Sequence, residues 1–284
     1  MPTIEINGGR IAYEVLGDGD PIVLTPGGRF SMQVPGLRPL AEALAAGGMK
    51  VLLWDRPNAG ASDVKFTGET ESNMHADDLA ELLRRLDMAP AVIAGGSAGS
   101  RVSLLTALRH PDVAAKLVGW WFSGGVFGTM VLAMTYNLPF IAAALTGGME
   151  AVVALGQWEE TFTKNPENRD RLLAMDPEAF VEIMERWLRA YVPEEGKPIP
   201  GVAAADFAKV TAPALIVRSG SIDRYHPMAT SLEVQRLIPG STLAEPPWGE
   251  DEWPRLQKLT ARGEGFIFDC WPQLAPQILE FVGS

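Results

Sequence analysis

Residues 95–99 read Gly-Gly-Ser-Ala-Gly and follow directly on an apolar run that starts at Ala91. The pattern G-x-S-x-G marks a sharp strand-to-helix turn that lifts a serine hydroxyl above a sheet. Such a hydroxyl becomes a nucleophile only when a neighbouring base takes its proton and a third group orients that base. Ser97 is therefore the candidate nucleophile. A helix beginning at Ala98 leaves that residue's N–H without an intrahelical acceptor, ready to donate to an oxyanion. The bland alternative for Ser97 is a helix N-cap.

A turn of this kind needs a sheet beneath it, and the chain supplies one. PIVLTP (21–26), KVLLWD (50–55), AVIAGG (91–96), KLVGWWFS (116–123), ALIVRSG (214–220) and STLAEP (241–246) are continuously apolar rather than alternating. Strands covered on both faces read this way. Between them lie segments with apolar residues at helical spacing, such as MHADDLAELLRRLDM and SRVSLLTALRHP. The alternation predicts an α/β fold, a mostly parallel central sheet flanked by helices. It breaks between residues 125 and 210, where the periodicity is helical and rich in Met and Trp. The predicted organisation is a core of residues 1–124 and 211–284 with a helical cap insertion at 125–210.

Composition sets outer limits. The 284 residues are 47% hydrophobic and 21% charged, ordinary for a globular chain. A formal charge of −11 disfavours a nucleic-acid partner. One cysteine, Cys270, excludes an intrachain disulfide and suits a reducing compartment. With three histidines beside it no zinc-type ligand cluster is visible, so neither a metal nor a cofactor is expected. The opening MPTIEINGGRIAYEVLG reads as a hairpin rather than a secretory signal, giving a cytoplasmic expectation. Leu117–Met149 carries no charged residue, but Gly, Pro and Asn punctuate it, and no membrane span is expected.

Four segments come in a telling order: VLTPGGRF, WDRPNAGASD (54–63), GGSAGS and SGSIDRYHP (219–227). Together they resemble the oxyanion loop, the D-x-x-G-x-G-x-S turn, the nucleophile elbow and the acid loop of the α/β-hydrolase fold superfamily. The resemblance covers essentially the whole chain. It implies Asp223 as the acid and the N–H of Gly28 as the second oxyanion donor beside Ala98, with Arg29 the alternative by register. Pro26-Gly27 stands where the family often has His-Gly.

The resemblance also implies a histidine shortly after the last strand, and the segment from Glu245 onward contains none. Counting from the strand places Glu250 or Asp251 at that point; counting back from the last helix places Glu264 or Gly265 there. A carboxylate is a poor match to a serine hydroxyl, whereas imidazole titrates near working pH. Of the chain's own histidines, His110 and His75 read as structural. His226 is the best remaining base because it lies three residues from Asp223.

The apolar cap and the tryptophans suggest a hydrophobic cavity, with Trp121 as a substrate-binding candidate and Arg29 and Arg56, beside the sheet-top loops, as candidates to hold a polar group of the substrate. The first reading is a cofactor-free hydrolase of an ester, lactone or C–C bond next to a carbonyl in an apolar small molecule. Two alternatives stay open: a non-hydrolytic relative that binds a ligand, and a lyase or isomerase using the same pocket. A homodimer is the protein partner left open.

Overall fold

The computed structural model describes every residue from Met1 to Ser284. The apolar runs form β3 (Asp20–Thr25), β4 (Met49–Trp54), β5 (Ala91–Gly96), β6 (Ala114–Trp120), β7 (Ala214–Val217) and β8 (Thr242–Ala244), after an opening hairpin of β1 (Thr3–Ile6) and β2 (Gly9–Leu16). They make one eight-stranded sheet in the order β1-β2-β4-β3-β5-β6-β7-β8. The hairpin and the β2–β4 pair are antiparallel, and every later pairing is parallel. Asn7 and Gly8 close the hairpin at φ 49° and 82°, as a tight two-residue turn requires.

Both faces of the central strands are covered, which is why they are apolar throughout. Val23, Leu52 and Ile93 face one core, built against α2 (Glu71–Arg85), α3 (Ala98–Arg109) and α9 (Met228–Leu237). Ile22, Leu24, Val92 and Ala94 face the other, against α1 (Leu37–Ala46) and α11 (Ala275–Gly283). Alternate residues of each strand thus feed opposite layers, as the two-residue period of a strand dictates.

Between β6 and β7 run α4 (Gly125–Tyr136), α5 (Leu138–Val153), α6 (Glu159–Lys164), α7 (Glu167–Leu173) and α8 (Pro177–Leu188). They form a helical insertion with its own apolar cluster, including Phe140, Trp158, Phe180 and Trp187. The stretch from Gly125 is apolar enough to cross a membrane by composition, with mean hydropathy 1.7 in its most apolar window. It is not one helix: Asn137 (φ −128°, ψ −50°) separates α4 from α5, and α5 bends where Gly147 and Gly148 leave helical geometry. Neither α4 with 12 residues nor α5 with 16 reaches the roughly 20 apolar residues a span needs.

One element was not expected from the sequence. The segment after β8 contains α10 (Glu252–Arg262), stopped by Gly263 in the left-handed region at φ 71°. Its Trp253 and Leu256 are buried against the second core.

The serine turn forms because strand and helix approach closely. A side chain at Gly95 would meet the backbone of Gly99 at 2.6 Å, and one at Gly99 would meet the carbonyl oxygens of Thr25 and Pro26. In an ordinary helix Gly→Ala stabilises by roughly 1 kcal/mol. Gly99→Ala is expected to reverse that sign and destabilise by about 1–3 kcal/mol, read from the urea unfolding midpoint.

His75 lies inside α2, 4% exposed, with its Nε2 3.1 Å from the Pro57 carbonyl oxygen. Burial pushes its pKa down to about 3, against the opposing pull of Glu71. The ring stays neutral and donates to Pro57, and it reads as structural. The unfolded chain binds a proton here below about pH 6.5 and the folded chain does not, so stability is present above that pH and drains away toward pH 3. His75→Gln is expected to flatten the pH dependence of the unfolding free energy between those limits, by up to about 1.4 kcal/mol per pH unit.

Candidate active site

Ser97 sits between the end of β5 and the start of α3 at φ 56°, ψ −121°. A non-glycine residue in this region costs of order 1–3 kcal/mol, so its surroundings must hold it there. Its N–H donates to the Trp120 carbonyl at 3.1 Å, and the N–H and hydroxyl of Ser100 donate to its carbonyl at 3.1 and 2.7 Å. The hydroxyl lies at the carboxyl end of the parallel strands, where open α/β sheets place their crevices.

Ser97 Oγ is 2.9 Å from His226 Nε2, and His226 Nδ1 is 3.0 Å from Asp223 Oδ2. All three residues are buried. The acid and the imidazole therefore stand on one turn, the loop between β7 and α9. Asp223 Oδ1 accepts the N–H groups of Tyr225 at 2.8 Å and His226 at 3.0 Å, curling the backbone so that the ring folds back onto Oδ2. A carboxylate only accepts, so in the neutral ring the proton is on Nδ1 and the Nε2 lone pair faces the serine hydroxyl. Trp121 stacks parallel to the ring (centroids 5.7 Å, 15°) and Trp253 meets it edge-on (4.5 Å, 90°). The imidazole is fixed by two hydrogen bonds and two indoles.

The carboxylates expected near the serine are elsewhere. Glu250 is half exposed and pairs with Arg218 at 2.5 Å while accepting the Ser221 N–H at 2.7 Å. Arg218, first, and then Ser221 hold its carboxyl at about pKa 2. Asp251 is exposed at the start of α10, and Glu264 is exposed beyond its end. Neither Glu250 nor Asp251 is a base for Ser97, because the stronger cation or open water holds each away. Where the resemblance implied a histidine, the chain puts apolar bulk: Trp253, Ile267 and Phe268 line the cavity over Ser97. His110 bonds Asp77 at 2.7 Å and stands at the C-terminal end of α3, the opposite end from Ser97. Trp121 is 1% exposed behind His226, so it supports the imidazole and does not line the cavity.

That cavity measures about 140 Å³ and includes Ser97, His226, Gly28, Phe30, Val131 and Tyr136 among its walls. It shares Gly28, Phe30, Thr135 and Tyr136 with an outer vestibule of about 630 Å³, where Arg29, Gln157 and Lys164 stand. Gly28 has φ +50°, and a side chain there would strike the Phe30 ring at 2.7 Å. Its N–H and that of Arg29 have no acceptor within the protein.

Behind the vestibule lies a buried charged layer. Arg29 pairs with Glu71 at 3.0 Å and lies over the rings of Tyr136 and Phe140 at 5.1 and 5.0 Å. Arg101 donates to Ser72 at 2.9 Å and the Tyr191 hydroxyl at 3.0 Å. Burial is the largest single influence on the Glu71 carboxyl and raises it, but Arg29 and the other surrounding groups, Asn58 among them, together hold it below the ordinary carboxylate range. Burial also lowers Arg56 to about 10 and raises Tyr136 to about 12. Of Arg29, Arg56 and Arg101, only Arg29 is paired with a carboxylate, Glu71.

Comparison with known proteins agrees with this architecture. Residues 22–256 match the Alpha/beta hydrolase family. The chain is 39% identical over 64 residues to 2-(acetamidomethylene)succinate hydrolase of Mesorhizobium japonicum, covering 22% of this chain and 23% of that protein. It is 32% identical over 132 residues to 2-hydroxy-6-oxononadienedioate/2-hydroxy-6-oxononatrienedioate hydrolase of Escherichia coli K12, covering 43% and 42%. These alignments span less than half the length of the relatives. The solved enol-lactonase of Burkholderia xenovorans LB400 superposes with a TM-score of 0.58 at 20% identity, over 92% of this chain and 98% of that one, which is a likeness of fold. With a match running from β3 into α10 and a sheet of the same mostly parallel order, the chain belongs to the α/β-hydrolase family.

Proposed function

We propose that the chain is a cofactor-free serine hydrolase of an ester, lactone or C–C bond next to a carbonyl in a largely apolar small molecule. The observation that carries this reading is the unbroken hydrogen-bond path from Ser97 Oγ through His226 to Asp223. The family match, and relatives named as hydrolases, support it. Neither a ligand-binding relative nor a lyase or isomerase using the same pocket needs an acyl-serine, and the Ser97–His226–Asp223 path favours the hydrolase reading over both.

The steps follow from the geometry, taking an ester as the example. Ser97 Oγ attacks the carbonyl carbon as His226 Nε2 accepts the hydroxyl proton. The carbonyl oxygen becomes an oxyanion and takes the N–H groups of Gly28 and Ala98. Collapse expels the alkoxide, which takes the proton back from Nε2. Water then attacks the acyl-serine, gives a proton to Nε2, and the acid leaves as that proton returns to Ser97. Asp223 stays ionised throughout and stabilises the imidazolium. The acyl part fits the small apolar chamber, while the larger vestibule accepts the leaving group beside Arg29.

A fluorophosphonate probe is expected to label the wild-type chain once, at Ser97, and to leave Ser97→Ala unlabelled. His226→Ala is expected to lower kcat for a p-nitrophenyl ester by about 10²–10⁴-fold, and Asp251→Asn to leave turnover unchanged. A folded wild-type protein that takes up no probe, or a His226→Ala chain that labels at the wild-type rate, overturns the reading.

A further inference from the structure

Arg56 follows directly on β4 and Asp55, and its side chain is 2% exposed under the loop at residues 26–30. A buried guanidinium ordinarily rests on a carboxylate, because its desolvation must be offset. This one makes no ion pair. Its Nη2 donates to three backbone carbonyls instead: Gly27 at 3.1 Å, Gly28 at 2.7 Å and Phe30 at 3.4 Å. Asp55 does the complementary work on neighbouring amides, accepting the N–H of Met32 at 2.7 Å and of Ala61 at 2.8 Å.

The planarity of the peptide bond gives these contacts a consequence. In a trans peptide the C=O and the following N–H point in opposite directions. Drawing the Gly27 carbonyl onto Arg56 therefore turns the Gly28 N–H away from the guanidinium, and drawing in the Gly28 carbonyl does the same for the Arg29 N–H. Both N–H groups lack a protein acceptor. Gly28 borders the cavity that holds the Ser97 hydroxyl, and a side chain at Gly27 would sit 3.2 Å from Ser97 Cβ. One guanidinium thus fixes the direction of both candidate oxyanion donors on this loop.

We infer that Arg56 is a positioning residue, holding the 26–30 loop so that its N–H groups face the oxyanion formed at Ser97. The inference rests on the serine-hydrolase reading above. Its bonded donor, Nη2, is committed to backbone carbonyls, so Arg56 acts through the loop.

The test uses the full chain, p-nitrophenyl butyrate hydrolysis and the rate of fluorophosphonate labelling. Arg56→Met keeps the apolar stem and removes the donors. It is expected to lower kcat and the labelling rate by about 10–100-fold, with KM within about threefold of wild type. Arg56→Lys, whose ammonium still reaches a carbonyl, is expected to recover part of the loss. A merely structural role lowers the unfolding midpoint without that kcat-specific pattern. If Arg56→Met does not fold, Arg56→Lys decides: a lower kcat at unchanged KM supports the inference, and wild-type kcat overturns it. Wild-type labelling at Ser97 together with an Arg56→Met chain that labels equally fast overturns this inference alone. A wild-type chain that neither labels nor hydrolyses overturns it together with the hydrolase reading.

Discussion

The contact between His226 and Ser97 ties together two loops 129 residues apart, and the rest of the site is arranged around it. Ser97 ends a strand at φ 56°, with its hydroxyl turned toward a ring that must arrive at one angle to meet it. His226 meets that demand because its ring is anchored three residues away on Asp223, with two backbone N–H groups on the same carboxylate. Asp223 and His226 form one rigid turn. Gly220, in the same loop, lets the chain after β8 pass close by: a side chain there would collide with the Glu250 backbone.

Placing both groups on one turn changes what the region after β8 is for. With no imidazole to deliver, that region becomes apolar wall. Trp253 closes on the edge of His226, and Phe268 stacks on Trp271 with centroids 4.1 Å apart while meeting Phe30 edge-on at 5.6 Å. Excluding water there strengthens every polar contact at the serine, since attraction between charges rises as the effective dielectric falls. The same aromatic packing reaches the 26–30 loop, where a side chain at Gly27 would meet the Phe268 ring at 2.6 Å.

A second layer of order comes from buried charge. Arg29, Arg56, Arg101, Glu71, Tyr136 and Tyr191 interlock beneath the cap, joining the loop after β3, the turn after β4, α2, α3 and the helical insertion. Burying so many polar groups is costly unless each is met, and most here are met by backbone carbonyls, hydroxyls or ring faces. The arrangement ties the helical insertion to the sheet at the site. Asn58 belongs to the same frame. It takes φ 69° where the resembling pattern has glycine, and its amide bridges Lys65 and Glu71.

Much of this was legible in the linear sequence. Continuous apolar runs report strands buried on both faces, because the two-residue period puts every side chain into one of two cores. The glycines around Ser97 report a strand and a helix too close for side chains, and Asp223 follows from its place after β7. The base was harder. A histidine after β8 was the expectation, its absence drew Glu250 and Asp251 forward, and His226 stood out only by its spacing from Asp223. Spacing cannot say which way a ring turns. That depends on Asp223 accepting two backbone N–H groups and on Trp121 and Trp253 closing from either side, contacts between segments far apart in the chain. The direction of Gly28 and Arg29 N–H was equally invisible, since it depends on which carbonyls a buried guanidinium reaches. Local sequence determined the elements and the serine turn through propensity and periodicity; the partner of the serine was decided by tertiary packing, because only the folded sheet brings the three loops to one point.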